Sequence, residues 1–296
     1  MSALGGAEKV AGTGARAPYF VLAHHRSGSN FLNDLLQAHP RIECINEPFS
    51  MHTGHFRECD LAPWSSADFD PELLHASLAG QEALRGYLID FREYLCQSNS
   101  ARVIGFKDTV LFGKLGWLKA FMPSLKIIFL RRDPRSIVSS LLRSELLDFW
   151  NYAELVRPAF EGMHPDYRSA AIDADRAIAS AEMAAMSIVV RYELARRTLD
   201  AFEHRTLHLE ALMRRPHECL EELAGFLGLE ANDTQLSAQF SFLEARQAAT
   251  RGGVFSSFRT PADVENRWKQ HLQPPQVRVI EDVLRAADVE WTGESV

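Results

Sequence analysis

A short polar loop near the start of the sequence carries the residue types that bind phosphate. The apolar segment PYFVLA at residues 18–23 leads into HHRSGSN, which places a basic side chain, two serines and a glycine before a helix-like pattern. When a strand passes through such a loop into a helix, the first helical N–H groups lack backbone partners and can bind an anion. We therefore interpret Arg26–Asn30 as a phosphate cradle, with a serine-glycine turn that only caps a helix as the alternative.

The loop differs from the one that binds ATP in P-loop proteins. That motif, GxxxxGK[ST], ends in a lysine and a serine or threonine whose hydroxyl binds magnesium. Asn30 and Phe31 occupy the corresponding region here, so no metal ligand is apparent and we expect no metal cofactor. His24 and His25 would point to opposite faces of a strand, which makes them poor joint metal ligands, and His25 stays a candidate second base.

Two further cations follow apolar segments later in the chain. Lys107 ends VIGFK, and Arg132 follows LKIIFLR with Ser140 about two helical turns beyond it. Ligands of open α/β sheets bind at the carboxyl ends of the strands. Arg26, Lys107 and Arg132 are therefore expected to face one crevice, each supplied by a different strand.

The elements that would position these side chains alternate between short apolar segments and amphipathic ones, as in a parallel sheet covered by helices. The predicted strands are Tyr19–Ala23, Ile42–Ile45, Arg102–Phe106, Leu125–Leu130 and Arg205–Leu209. The predicted helices are Ser29–Ala38, Gly113–Phe121, Pro134–Leu147, Ala170–Phe202, Pro216–Leu227 and Gln276–Ala287. This order predicts an α/β fold with a central, mainly parallel sheet.

Composition limits the classes of function. The chain has 296 residues and a formal net charge of −7, so we expect no nucleic-acid partner, and an anion site must be built locally. No apolar stretch approaches the roughly 20 residues that span a bilayer, and residues 1–17 lack the apolar core of a signal peptide. The four cysteines show no paired spacing. We expect a cytoplasmic protein that does not contact membranes, with residues 1–17 as a flexible arm.

Two aromatic-rich segments interrupt the alternation of strands and helices. Residues 48–80 and 146–170 mix aromatic, histidine, proline and glycine residues. Long segments of this kind often form lids or binding loops, although irregular packing over the core accounts for most of their individual residues. We expect the substrate to bind there.

The motifs together resemble sulfotransferases that use 3′-phosphoadenosine 5′-phosphosulfate (PAPS). RSGSNFLNDLLQAHPRIECINEPF resembles the 5′-phosphosulfate loop of carbohydrate and tyrosylprotein sulfotransferases, with the helix and Glu-Pro pair that follow it. FLRRDPRSIVSSLLRSE resembles their 3′-phosphate element, and HLEALMRRPHECLEELAGFLGLE resembles a later strand-helix segment. The resemblance implies a P-loop-like three-layer α/β/α fold, with residues 18–296 as a single sulfotransferase domain.

Carried over residue by residue, the resemblance also assigns a cofactor site. Arg132 and Ser140 would bind the 3′-phosphate, and Lys107 would approach the phosphate that bears the sulfuryl group. Glu47, in the Glu-Pro pair, would be the catalytic base. The 5′-phosphosulfate would be bound by six consecutive residues: Arg26, Ser27, Gly28, Ser29, Asn30 and Phe31. A further 3′-phosphate contact would come from one of four C-terminal cations: Arg251, Arg259, Arg267 or Lys269.

These residue types suit the transfer of a sulfuryl group from PAPS to a hydroxyl, with 3′-phosphoadenosine 5′-phosphate (PAP) as product. Glu47 would take the proton of the acceptor hydroxyl, while Arg26, Lys107 and the loop N–H groups stabilise the charge that grows on the departing phosphate. The expected acceptor is a small molecule or metabolite, or else a carbohydrate, bound by the two aromatic-rich segments. A P-loop kinase-like phosphotransferase and a non-catalytic nucleotide-binding protein are the alternatives.

Overall fold

The computed structural model describes most of the chain, with gaps that fall mainly in the aromatic-rich segments and at the ends. The described residues are 16–50, 53–55, 82–144, 152–169, 175–230, 233–248, 260–289 and 291. Most of the N-terminal arm and of the segment 48–80 therefore lies outside the description, as do Arg251 and Arg259. Among the described cysteines, Cys44 and Cys219 are buried free thiols.

Five parallel strands form one sheet in the order β2-β3-β1-β4-β5. The strands are β1 (Tyr19–Ala23), β2 (Ile42–Asn46), β3 (Val103–Asp108), β4 (Lys126–Arg131) and β5 (His204–His208). Each agrees with its predicted position to within about two residues. Every described pairing is parallel, so the predicted fold class is confirmed.

Helices cover both faces of this sheet. They are α1 (Ser29–Gln37), α2 (Glu82–Leu95), α3 (Leu115–Phe121), α4 (Pro134–Leu142), α5 (Tyr152–Met163), α6 (Arg176–Leu199), α7 (Leu209–Arg214), α8 (Pro216–Phe226), α9 (Asp233–Ala248), α10 (Pro261–Asn266) and α11 (Pro274–Ala286). Short 3₁₀ turns at Phe112–Lys114 and Arg267–Gln270 precede α3 and follow α10. Within the described part of the chain, no helix has both the length and the apolar character needed to cross a membrane.

Five of these helices, α2, α5, α7, α9 and α10, were not predicted from the sequence. Helix α5 lies in the aromatic-rich segment 146–170. It contains Pro158, and proline disfavours the interior of a helix. The sequence of α9, DTQLSAQFSFLEARQA, shows no clear helical spacing of its apolar residues. Helix α2 follows the segment 48–80, and no helix was predicted between that segment and β3. Packing against the rest of the protein decides the structure of such segments more than local preference does.

The alternation of side chains along the buried strands divides the core into two layers. Phe20 and Leu22 of β1 face a cluster with α2, α3, α4, α5, α6 and α11. Tyr19 and Val21, one residue out of phase, face a second cluster with α1, α7, α8, α9 and α10. Successive strand residues point to opposite faces, so both layers need continuous apolar strands. The result is the predicted three-layer α/β/α arrangement.

Strand register brings the candidate site residues to one edge of the sheet. Val21 of β1 is paired with Lys107 of β3, and Asn46 of β2 is also paired with Lys107. Ala23, the last residue of β1, is paired with Leu130 of β4. Because parallel strands end at the same edge, the loops after β1, β2, β3 and β4 meet there.

We predict that Gly105→Ala destabilises the sheet, because a Cβ at position 105 would lie 2.4 Å from the ring of Tyr19. That ring is fully buried and its hydroxyl donates to the Glu43 carbonyl, so it has little room to move. The expected loss in the free energy of unfolding is about 1–3 kcal/mol, measured by urea denaturation. Gly86→Ala on α2, where a Cβ meets open space, is the control and should be neutral or stabilising. Equal stability of both variants would contradict the prediction.

Candidate active site

The loop after β1 has the conformation of an anion cradle. The Ser27 amide and hydroxyl both donate to the His24 carbonyl, at 3.1 and 2.7 Å, which turns the chain sharply after the strand. Arg26 and Gly28 have φ values of 66° and 90°, in the left-handed region. A Cβ at Gly28 would also lie 2.7 Å from the Leu209 side chain, so both space and conformation require glycine.

Helix α1 begins directly after this loop and has no side-chain cap. Gly28 is its N-cap residue, and among the described residues no side chain accepts a hydrogen bond from its first N–H groups. These N–H groups and the positive end of the helix dipole are therefore available to an anion. Phe31 contributes only its backbone to this arrangement, since its side chain is buried in the core and lies near the ring of Phe242.

A buried lysine joins the loop to the predicted base. The Lys107 ammonium donates to Asn30 Oδ1 at 2.8 Å and to Glu47 Oε1 at 2.7 Å. Lys107 has no exposed surface, whereas 28% of the Glu47 side chain is exposed. Glu47 therefore faces the crevice at the edge of the sheet while one carboxylate oxygen neutralises the buried cation.

A second group of side chains lies around the start of α4. Arg26 Nε donates to Ser140 Oγ at 3.0 Å, and Arg132 Nη1 donates to the Arg26 carbonyl at 3.0 Å. The structure thus places the Arg26 side chain at Ser140, beside the predicted 3′-phosphate element. Of the predicted residues, Arg26, Arg132 and Ser140 form one cluster, and Asn30, Glu47 and Lys107 form another.

Two more arginines extend the first cluster. Arg143 lies about one helical turn after Ser140, and Arg267 begins the 3₁₀ turn that packs against α4. Burial and then the charge of Arg143 lower the pKa of Arg26, and burial followed by Arg267 lowers the pKa of Arg143. Among the residues that the structure describes, neither Arg143 nor Arg267 forms an ion pair. We name Arg26, Arg132, Arg143 and Arg267 the arginine cluster.

Sequence reasoning missed Arg143 and left the C-terminal contact open. No role was assigned to Arg143 from the sequence, although its spacing of three residues from Ser140 places both on one helix face. Arg267 and Lys269 are the two C-terminal candidates within the described residues. Lys269 is exposed and donates to Asn266, whereas the charge of Arg267 acts on Arg132 and Arg143.

The corner between β4 and α4 is fixed by two carboxylates. Asp133 caps α4 by accepting from the Arg135 amide at 2.9 Å, so the start of this helix is already capped by its own chain. Glu210 of α7, also buried, accepts from the Asp133 amide at 3.0 Å. Burial raises the pKa of Glu210, and its charge favours the protonated guanidinium of Arg132. Side chains, rather than the helix end, must therefore bind an anion at this corner.

The two histidines before the loop are neutral. His24 follows β1, is fully buried and hydrogen bonds through Nδ1 to the His25 carbonyl at 2.7 Å. Burial and the charge of Arg191 lower its pKa to about 3, and burial followed by Arg191 lowers the pKa of His25. Their rings are nearly perpendicular, with centroids 5.9 Å apart. No group of histidine, cysteine or acidic side chains suited to a metal occurs within the described residues.

The described parts of the aromatic-rich segments are anchored to the core. His55 stacks on Tyr87 of α2, with centroids 4.2 Å apart. Beyond α5, the Tyr167 hydroxyl and the Ser169 hydroxyl donate to the buried Glu182 of α6, at 2.6 and 2.7 Å. Binding of an acceptor by these segments stays a prediction.

The sheet, the glycine loop and the helix that follows it together define an α/β protein of the P-loop-like class. A family model described as "Sulfotransferase family" matches residues 18–233. Because this match spans well over half of the chain, the protein belongs to the sulfotransferase family. The family predicted from the motifs is therefore confirmed.

Solved structures of sulfotransferases share the fold. The sulfotransferase domain from the curacin biosynthetic pathway is 16% identical, with a TM-score of 0.54 over 94% of this chain and 99% of that chain. Mouse sulfotransferase SULT7A1, complexed with PAP, is 12% identical, with a TM-score of 0.51 over 93% of this chain and 86% of that chain. At these identities the similarity shows the fold alone. No curated protein matches the sequence.

We predict that an anion relieves the repulsion within the arginine cluster and so stabilises the fold. Sodium sulfate should raise Tm relative to sodium chloride of equal ionic strength, and Arg267→Ala should reduce this rise by about 2 °C. Arg285→Ala removes an exposed arginine paired with Asp282 and is the control for general effects of sulfate. Equal rises in the two variants, measured by scanning fluorimetry, would show that Arg267 binds no anion.

Proposed function

We propose that the protein transfers the sulfuryl group of PAPS to a hydroxyl of an acceptor, with Glu47 as the general base. The observation that carries this proposal is the contact of one buried ammonium, on Lys107, with both the phosphate-type loop and Glu47. This contact brings a carboxylate, a cation and the start of an uncapped helix together. Sulfuryl transfer needs the same combination, because a proton acceptor must lie close to the groups that stabilise the phosphate leaving group.

The described residues fit both ends of PAPS. The uncapped first turn of α1 with Ser27 and Gly28 suits the 5′-phosphosulfate, and the arginine cluster with Ser140 suits the 3′-phosphate. Four arginines near one another, two of them without an ion pair among the described residues, are unfavourable unless an anion is bound. We assign the C-terminal 3′-phosphate contact to Arg267 rather than to Lys269.

The proposed mechanism is an in-line attack by the acceptor hydroxyl. PAPS, when bound, supplies a sulfuryl group joined to a phosphate that departs readily. The free oxygen of Glu47 accepts the proton as the hydroxyl oxygen forms its bond to sulfur. Lys107 and the N–H groups of α1 offset the negative charge on the phosphate side, whereas the Arg26 side chain, predicted to act there, belongs to the cluster around Ser140. Neutral His25 lies among Lys107, Arg26 and Arg191, whose charges disfavour its protonated form.

The proposed acceptor is a small molecule or metabolite, with a carbohydrate as the second choice. Both need only a hydroxyl held near Glu47, and segments 48–80 and 146–170 adjoin the crevice in sequence. A panel of hydroxyl compounds incubated with the protein and PAPS, and then analysed by mass spectrometry, would reveal the acceptor by a sulfate-sized gain in mass. If no compound class gains mass while PAP still binds, the non-catalytic alternative is favoured.

We predict that PAP binds at least tenfold more tightly than ATP, as measured by isothermal titration calorimetry, because only PAP carries a 3′-phosphate. Arg132→Ala should weaken the binding of PAP by about 10–100-fold, the value of one or two charge-assisted hydrogen bonds, and should weaken the binding of AMP less. Arg285→Ala serves as the control. A preference for ATP would instead support the kinase-like alternative.

We further predict that Glu47→Gln lowers kcat by about 10²–10⁴-fold, the usual contribution of a general base, without lowering the affinity for PAP. Glutamine keeps an oxygen for the Lys107 ammonium but cannot take up the proton. The rate of sulfate transfer to the acceptor found in the panel is the measurement, and Glu82→Gln, on the exposed start of α2, is the control. Turnover that survives in Glu47→Gln would show that the base lies elsewhere.

A further inference from the structure

The residue after Lys107 is a buried carboxylate to which no role has been assigned. Asp108 ends β3 and is 1% exposed. Its Oδ1 accepts from the amides of Thr109 and Val110, at 2.7 and 3.0 Å, and its Oδ2 accepts from the amide of Phe49 at 3.1 Å. The first two bonds shape the local turn. The third joins the end of β3 to the chain that carries Glu47.

That chain is held at successive backbone groups. The Glu47 amide donates to the Lys107 carbonyl at 2.7 Å, and the Pro48 carbonyl accepts from the Tyr87 hydroxyl at 2.9 Å. Asp108 binds the next N–H, so the peptide unit between Pro48 and Phe49 is fixed from both sides. The Phe49 ring is itself fully buried.

This anchoring is needed because Glu47 is strained. Its φ of 48° lies in the left-handed region, which costs a non-glycine residue about 1–3 kcal/mol and persists only where the surroundings impose it. A relaxed backbone would turn the Glu47 side chain away from Lys107. A displacement of about 1 Å at a reacting group can cost about 100-fold in rate.

We propose that Asp108 is a positioning residue for Glu47, acting through the Phe49 amide, with Tyr87 as its counterpart on the opposite side of the same peptide unit. The consequence for turnover rests on the proposed role of Glu47 as the base. The positioning itself does not, because it concerns only contacts within the protein.

The raised pKa of Asp108 indicates that its charge does not stabilise the fold. Burial raises the pKa of Asp108 from 3.8 to about 6, and the nearby Glu47 adds to this, while its amide partners and Lys107 oppose it. Tyr87, whose pKa is raised to about 12 by burial and then by Asp108, also faces it. Because the folded pKa is raised, ionisation of Asp108 opposes folding, and its contribution to stability falls as pH rises from about 4 to 6.

The test uses Asp108→Asn at neutral pH. Asparagine removes the buried charge but cannot satisfy both the turn amides and the Phe49 amide, since one side of its amide group is a donor. The two effects oppose one another in stability, so Tm should change little. Hydrogen–deuterium exchange of the peptide covering residues 46–50 should accelerate at least tenfold, while PAP affinity stays within about twofold of the wild type. Asp90→Asn, on an exposed position of α2, is the control.

Tyr87→Phe removes the other hydrogen bond to the same peptide unit and provides a second variant should Asp108→Asn not fold. It should produce the same faster exchange at residues 46–50. Tyr94→Phe is its matched control, because Tyr94 lies on the same helix and donates to Glu43 instead. Unchanged exchange at residues 46–50 in Tyr87→Phe and in any folded Asp108→Asn protein would overturn the proposal.

Measurements of kcat then test whether the positioning of Glu47 affects catalysis. With the acceptor found in the panel, Asp108→Asn should lower kcat by about 10–100-fold, and it should lower kcat no further when combined with Glu47→Gln. An equal loss in both backgrounds would overturn the claim that Asp108 acts through Glu47. If the wild type transfers no sulfate at all, the proposed function fails, while the exchange result still decides whether Asp108 positions the segment.

Discussion

The Lys107 ammonium has no exposed surface, so the candidate active site must supply partners that offset its buried charge. An isolated buried charge costs several kcal/mol, which only close partners can offset. Lys107 finds them in Glu47, after β2, and in Asn30, at the start of α1. The sheet order places β3 between β1 and β2, so both partners reach the lysine from neighbouring strands. A change in sheet order or register would leave this cation unpaired.

The two halves of the site solve opposite electrostatic problems. Around Lys107 the charge is balanced within the protein, which keeps the carboxylate and the cation in place before any ligand binds. Around Ser140, Arg143 and Arg267 of the arginine cluster have no ion pair among the described residues, in a protein whose net charge is −7. The apolar core on both faces of the sheet supplies the stability that holds these arginines together. One half is thus balanced before any ligand binds, whereas a bound anion would balance the other.

Sequence reasoning predicted the features that depend on nearby residues. The apolar strands and the turn before α1 follow from local residue types and spacing alone. It failed where contacts between residues far apart in the sequence determine the local structure. In α5, for example, the internal proline is tolerated because Val156 and Phe160 pack into the core. The roles of Glu210 and Asp108 were equally hidden, since each binds a backbone amide far away in the sequence, and no spacing rule reports such a contact.

Backbone strain falls on Arg26 and Glu47, the two candidate site residues that must project from opposite sides of the crevice. Both are non-glycine residues with positive φ, and each is held by a neighbouring strand end. The Arg132 guanidinium binds the Arg26 carbonyl, and the Lys107 carbonyl binds the Glu47 amide. Because the same cation-bearing strand ends fix the strained backbone, charge and geometry are coupled. A substitution of either cation should therefore disturb the position of its neighbour as well as the local charge, whereas Tyr87→Phe alters the support of the Glu47 segment without changing a charge at neutral pH.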